Sequence, residues 1–210
     1  MEVHPPHEPI HSVKEFLVHI LAISIGLLIA LGLEASVEWA HHRHLVREAR
    51  ENISQEIGDN QRNLARELEA LPGEKKYLDR LLNAVVGMES SHSNQLKGDF
   101  NWTVTRLSES SWNTAFSTGA TAHMSYDEAK RYSQVYALQE LFNVTMDRYL
   151  QKRGEMYAFL KLTELSGKPS ATEFESGKRT ISEEVIMNEF LRELGTTLSS
   201  VYAKFPASPD

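Results

Sequence analysis

The sequence predicts an all-α protein, with one N-terminal transmembrane helix continuing into a bundle of about five helices. Three observations carry this reading. Phe16 to Leu33, "FLVHILAISIGLLIALGL", is an apolar run containing one histidine, one serine and no charge. Glycine and proline, 11 and 7 among 210 residues, are sparse over the long middle of the chain, which disfavours a turn-rich β fold. Apolar residues beyond the run recur at steps of three, four or seven, the period of an amphipathic helix. The expected organisation is an N-terminal tail (1–15), a transmembrane helix (16–37), a juxtamembrane helical hairpin (38–88), a linker (89–101), a helical domain (102–205) and a tail (206–210).

The apolar run comes first. As a helix it extends about 27 Å, close to the hydrocarbon thickness of a bilayer. A core helix of a soluble domain would show a polar stripe, and this run has none. A cleaved signal peptide has an apolar region of about 7–15 residues behind a basic segment. Here the preceding "MEVHPPHEPIHSVKE" is acidic, so an uncleaved anchor is expected. Lys14 is the single basic residue before the run, apart from histidines, and Arg43, Arg47 and Arg50 follow it. The positive-inside rule therefore places the C-terminal domain in the cytoplasm. Ala22, Gly26 and Ala30 recur four apart, with Glu34 next in line, a spacing that lets two membrane helices pack closely. Gly32, Ser36 and Ala40 form a second such line.

"EASVEWAHHRH", Glu34 to His44, follows directly. Glu38 lies three residues before His41 and four before His42, with Glu34 one turn earlier, so one helical face could present metal ligands. A di-metal site needs matching Glu-x-x-His sets on facing helices. Glu89 and His92 have that spacing but sit in the polar stretch "MESSHSNQLKGD". His4, His7 and His11 would lie across the bilayer from His41. The favoured reading is interfacial: Trp39 at the headgroup level, with Arg43 and Arg47 facing phosphates and water. Metal binding by Glu34, Glu38, His41 and His42 is the alternative.

Val46, Ala49, Ile53, Ile57, Leu64, Leu68 and Leu71 mark the next helix, with Asn60 in the gap of the stripe, where a polar residue can set register between packed helices. Pro72-Gly73 is expected to stop this helix, and Glu74 to Met88 to return antiparallel to it. A short helix is expected from about Ser108 to Thr118, capped by Gly119. Ser125 and Glu128 form a capping box opening a long helix that ends near Gly167-Lys168-Pro169. Ser182 is expected to begin a last helix with Val185, Ile186, Phe190, Leu194, Leu198 and Val201 facing inward. Trp102, Trp112, Phe116, Tyr132, Tyr136, Phe142 and Tyr149 are expected in the core.

The composition limits the chemistry. A formal net charge of −7 disfavours a nucleic-acid partner. The absence of cysteine removes disulfides, thiolate zinc sites and cysteine nucleophiles. The chain has no GxSxG elbow, Walker A loop or GxGxxG. Ser110 and Ser111 could include a nucleophile, with His123 the nearest histidine in sequence.

"FLVHILAISIGLLIALGLEASVEW", the "E-x-x-x-N" element Glu56 to Asn60, and the later "SSWNTAFSTGAT" and "YSQVYALQE" resemble an uncharacterised family of bacterial single-pass membrane proteins. The resemblance implies a bacterial inner-membrane protein and names no catalytic residues. The expected function is binding, scaffolding or assembly, without a cofactor. The expected partners are the lipid bilayer, a second copy through the membrane helix and an unidentified protein. A metal-dependent membrane enzyme and a ligand-sensing domain are the alternatives.

Overall fold

A computed structural model of the chain describes residues 13–90, 106–166 and 169–205. It contains α1 (Val13–Ser90), α2 (Ser110–Ser117), a 3-10 turn (Ala120–His123), α3 (Tyr126–Ser166) and α4 (Ala171–Tyr202), and no strand among the described residues. The chain divides into two compact units, Met1–Arg47 and Glu48–Asp210. Residues 1–12 of the expected N-terminal tail, the C-terminal tail, Trp102 and most of the 89–101 linker lie outside the described residues, and α1 already begins at Val13.

In the first unit every side chain from Phe16 to Ala40 is exposed. The helix is apolar on all sides through Leu33, and its length and composition suffice to cross a membrane.

The second unit is built from three long helices: α1 from Glu48 onward, α3 and α4. Polar contacts fix their directions. Arg50–Glu128, Glu56–Tyr136, Asn60–Gln139 and Glu74–Tyr149 keep a separation in numbering of 75 to 80, so α1 and α3 run parallel. Gln139–Tyr202, Tyr149–Asn188 and Arg153–Glu184 retreat along α4 as they advance along α3, so these two are antiparallel. A parallel α1–α3 pair requires the intervening chain to travel back along the bundle, and α2 lies on that return.

The expected hairpin at Pro72-Gly73 is not formed; α1 runs through both residues. The four helices of the structure therefore replace an anchor followed by about five. One inward row of α1 runs through Ile53, Glu56, Asn60, Leu64, Glu67, Leu71, Leu78, Leu81 and Val85, with half-buried Glu74 in the same row and Ala49 and Ile57 also buried. The three-four alternation crosses Pro72 without a change of phase, and Pro72 itself faces outward. A proline inside a helix costs about 3 kcal/mol. Burying Leu71, Leu78, Leu81 and Val85 contributes about 1.5–3 kcal/mol each, so the packed stripe outweighs the breaker. Leu78, Leu81 and Val85 meet Met156, Phe159, Leu160 and Ile181 in one apolar cluster at that end of the bundle.

The remaining elements follow local signals. Gly119 adopts φ 80, the left-handed conformation that ends α2 and turns the chain into the 3-10 segment. Ser125 Oγ accepts the Glu128 N–H at 3.3 Å, one half of the expected capping box. The Glu128 carboxylate is instead taken by Arg50 through two hydrogen bonds of 2.6 and 2.8 Å. The last helix begins at Ala171, well before Ser182. Ser170 and Glu173 form a complete capping box there. Gly177 is buried where a Cβ would strike the Phe159 ring, so a glycine inside α4 permits close approach to α3.

The inward face of α4 also differs from the expected one, because buried polar residues that bond to α1 and α3 belong to it. It comprises Ile181, Glu184, Asn188, Leu191, Leu194, Leu198 and Tyr202, with Gly177 and Gly195. Ile186 and Phe190, expected inside, are 65 % and 50 % exposed, Val185 is partly buried, and Val201 is half-buried. Tyr136, Phe142 and Tyr149 occupy the core as expected. Trp112 and Tyr132 are half-buried at its edge, Trp112 stacked on Tyr136 with ring centroids 5.5 Å apart. Phe116 is 72 % exposed, because the one buried residue of two-turn α2 is Ala115 on another face.

Candidate functional site

Three clusters contain the chemistry-bearing side chains. In the first unit, consecutive helical turns bring neighbouring Glu34–Arg47 side chains together along the helix surface. His42 Nε2 lies 4.0 Å from Glu38 Oε1. The Arg43 guanidinium sits 4.6 Å from the centroid of the Trp39 ring, a cation–π contact on the helix surface. Arg47 and His44 share a 3.0 Å hydrogen bond. His41 faces outward, its ring tilted against that of His42 at 6.1 Å. Among the described residues, no three His, Asp or Glu side chains converge to hold a metal ion. Ala22, Gly26, Ala30 and Glu34 are all exposed, and a Cβ added at Gly26 would meet nothing within 4 Å. The Ser36 hydroxyl is satisfied within the helix, donating to Gly32 O at 2.7 Å.

The second cluster joins α1, α2 and α3 around Glu56. Glu56 Oε2 accepts from Ser108 Oγ at 2.7 Å, Ser110 Oγ at 2.8 Å and the Ser111 N–H at 3.0 Å, and Oε1 accepts from Tyr136 OH at 2.7 Å. A carboxylate on one helix thus caps the N-terminus of another, where free N–H groups and the helix dipole favour negative charge. Burial alone would raise the Glu56 carboxyl. The Ser111 N–H and the Ser108, Tyr136 and Ser110 hydroxyls outweigh it and hold the group below its ordinary range. Burial and the adjacent carboxylate push the Tyr136 phenol well above its ordinary value.

One turn on, Asn60 accepts the Ser108 N–H at 2.8 Å and donates to Ser108 O at 2.7 Å and Gln139 Oε1 at 3.0 Å. Asn143 brackets Leu107 in the same manner, at 3.1 and 2.9 Å. Gln139 also donates to Ser108 O at 2.7 Å and accepts from Tyr202 OH at 2.5 Å. These amides serve Leu107 and Ser108, which precede α2 and have no ladder of their own. Ser110 therefore meets a carboxylate already held by three other donors. Such a carboxylate is a weak base, and the arrangement caps α2 rather than activating a nucleophile.

The third cluster joins α1, α3 and α4 around Arg153. Its Nε donates to Glu184 Oε1 at 2.6 Å, and its terminal nitrogen donates to Glu74 Oε2 at 3.0 Å and to Tyr149 OH. Tyr149 OH donates to Glu74 Oε2 at 2.8 Å. Asn188 Nδ2 reaches Tyr149 OH at 3.2 Å and Leu71 O at 3.3 Å. Burial opposes the Arg153 charge, but Tyr149, Glu184 and Glu74 outweigh it and raise its pKa further. Glu184 moves up, because burial exceeds the opposing pull of Arg153.

Of these groups, Glu56, Asn60 and Ser110 stand out in the sequence. Gln139, Asn143, Glu74, Arg153, Glu184 and Asn188 do not. The signal for Glu74 was present, because it continues the three-four row of α1 once that row is carried across Pro72. No protein-family model, curated protein sequence or solved structure matches the chain.

Proposed function

We propose that the chain is a membrane-anchored helical bundle that acts by binding, as a scaffold or assembly module in a bacterial inner membrane. The observation that carries this reading is the apolar stretch from Phe16 to Leu33, exposed on every side within its own unit. Lipid is the medium in which such a surface is stable. Trp39 with Arg43 upon it suits the headgroup level, where an aromatic ring anchors and a cation meets phosphate. The deeper polar clusters are consumed in joining helices, so the bundle presents a fixed outer surface.

On this reading Glu34 lies near the edge of the hydrocarbon. A carboxylate costs on the order of 2–3 kcal/mol at the bilayer centre and less towards its edge unless it is protonated or paired. Its place in line with Ala22, Gly26 and Ala30 suits a contact between two copies. Single cysteines at Gly26 and Ala30 should therefore trap dimers in membranes, and Glu34→Leu should change their yield. Equal trapping from every face of the helix would remove the contact. The enzyme alternative makes the opposite demand on the histidines: stoichiometric metal in detergent-purified protein, lost on His41→Gln and His42→Gln, would displace the assembly reading.

The arginines after Trp39 support placing the bundle in the cytoplasm. A reporter that functions only there, fused after Asp210, is expected to work. Activity of a periplasm-only reporter at the same position would reverse the assignment.

A further inference from the structure

Glu184 is fully buried on α4, at 0 % exposure, and its partner Arg153 is 6 % exposed. Around this point stand two carboxylates and one guanidinium. Arg153 serves both, Glu184 through Oε1 and Glu74 through Oε2. Glu74 gains a second donor in Tyr149 OH and keeps partial access to solvent. Glu184 has neither advantage. Its Oε2 is buried without a hydrogen-bond partner. The neighbouring Glu183 points away from this joint and pairs with Lys152 at 3.0 Å and Arg179 at 2.9 Å.

Both carboxylates ionised would leave one negative charge in excess within the joint, part of it on an oxygen with no donor. Burying unpaired charge is far more costly than burying an unpaired neutral hydroxyl. With a proton on Glu184, Arg153 and Glu74 form a balanced ion pair, and Glu184 Oε1 still accepts from Arg153 as a carbonyl.

We propose that Glu184 carries a proton at neutral pH in the folded bundle, and that the joint it makes with Arg153 and Glu74 weakens when alkali removes that proton. The groups facing it are Glu74 from α1 and Arg153 and Tyr149 from α3, with neutral Asn188 one turn along α4. Glu74 disfavours a second negative charge, Arg153 is shared with Glu74, and burial holds Tyr149 in its neutral form. Folding then takes up one proton at this position. A group with a raised folded pKa contributes stability that is complete below its unfolded value and lost as pH rises through its folded value.

The test is the pH dependence of unfolding of the full chain in detergent, wild type against Glu184→Gln, whose amide mimics the protonated acid. Between about pH 5 and about pH 7 the wild-type folding constant should fall relative to that of Glu184→Gln by about tenfold for each pH unit. A ratio that stays constant or rises with pH would show an ionised Glu184 and overturn the proposal.

A second readout does not depend on that variant folding. The infrared spectrum at neutral pH should contain a protonated-carboxyl stretch that survives in a Glu34→Gln/Glu67→Gln background, which removes two other acids in apolar or buried settings. Absence of the band from the wild type, or its loss in that background, contradicts the proposal.

Discussion

Replacing Glu56 by alanine is expected to lower the unfolding free energy by about 2–4 kcal/mol, because one side chain satisfies four donors. The donors are unequal. Ser108 and Ser110 are exposed and regain water when the carboxylate is lost. Tyr136 is buried and does not, and the Ser111 N–H is partly enclosed. The loss is therefore concentrated at Tyr136 and at the first turn of α2, and Trp112, stacked on Tyr136, should report it by fluorescence. Glu56→Gln should cost less, since one oxygen remains to accept.

The pH dependence has a definite sign. Glu56 is held below its ordinary value of 4.5. Its contribution is complete above that value and fades as pH falls through the lower folded value. Wild type and Glu56→Gln should therefore converge in acid. A loss below about 1 kcal/mol for Glu56→Ala would show that α2 is held by its apolar contacts instead.

The second large effect is expected at Arg153. Arg153→Met removes the only guanidinium that the joint of α1, α3 and α4 shows, and leaves Glu184 with no partner for either oxygen. It also breaks the ion pair with Glu74, and breaking a buried pair from one side costs about 3–5 kcal/mol. Adding Glu184→Leu removes the stranded neutral acid and should restore part of the loss, with the share that belongs to Glu74 remaining. A double variant no more stable than Arg153→Met would mean that the guanidinium acts through packing or through Glu74, not through Glu184.

The helical class, the continuous apolar run, the Gly119 cap and the inward Asn60 were legible because each rests on local periodicity or a single backbone preference. The misplaced elements share a cause. Pro72-Gly73 is a strong local breaker, and only the Leu71–Val85 stripe, packed against distant α3 and α4, overrides it. Ser182 has a plausible cap sequence, but the complete box lies at Ser170 and Glu173, and α4 extends back to it across a glycine that fits beneath Phe159.

The polar clusters were harder still to read. Arg153, Glu184, Asn188 and Gln139 resemble surface residues in a one-dimensional pattern, and their burial depends on partners 31 to 79 residues away. Counting only apolar residues as core placed Ile186 and Phe190 inside α4, where Glu184 and Asn188 stand instead. Glu56 enters the sequence reading only within the Glu56–Asn60 element of the family resemblance, and its role as the cap of α2 depends on the return of the chain alongside α1.

Membrane anchoring through Phe16 to Leu33 is the premise on which the proposed function depends. Its most direct test is alkaline carbonate extraction of membranes carrying the full chain. The protein should remain in the pellet, and replacing Leu27, Leu28 and Ile29 by aspartate should release it. Full-length wild-type protein recovered freely in the supernatant without detergent would contradict the account.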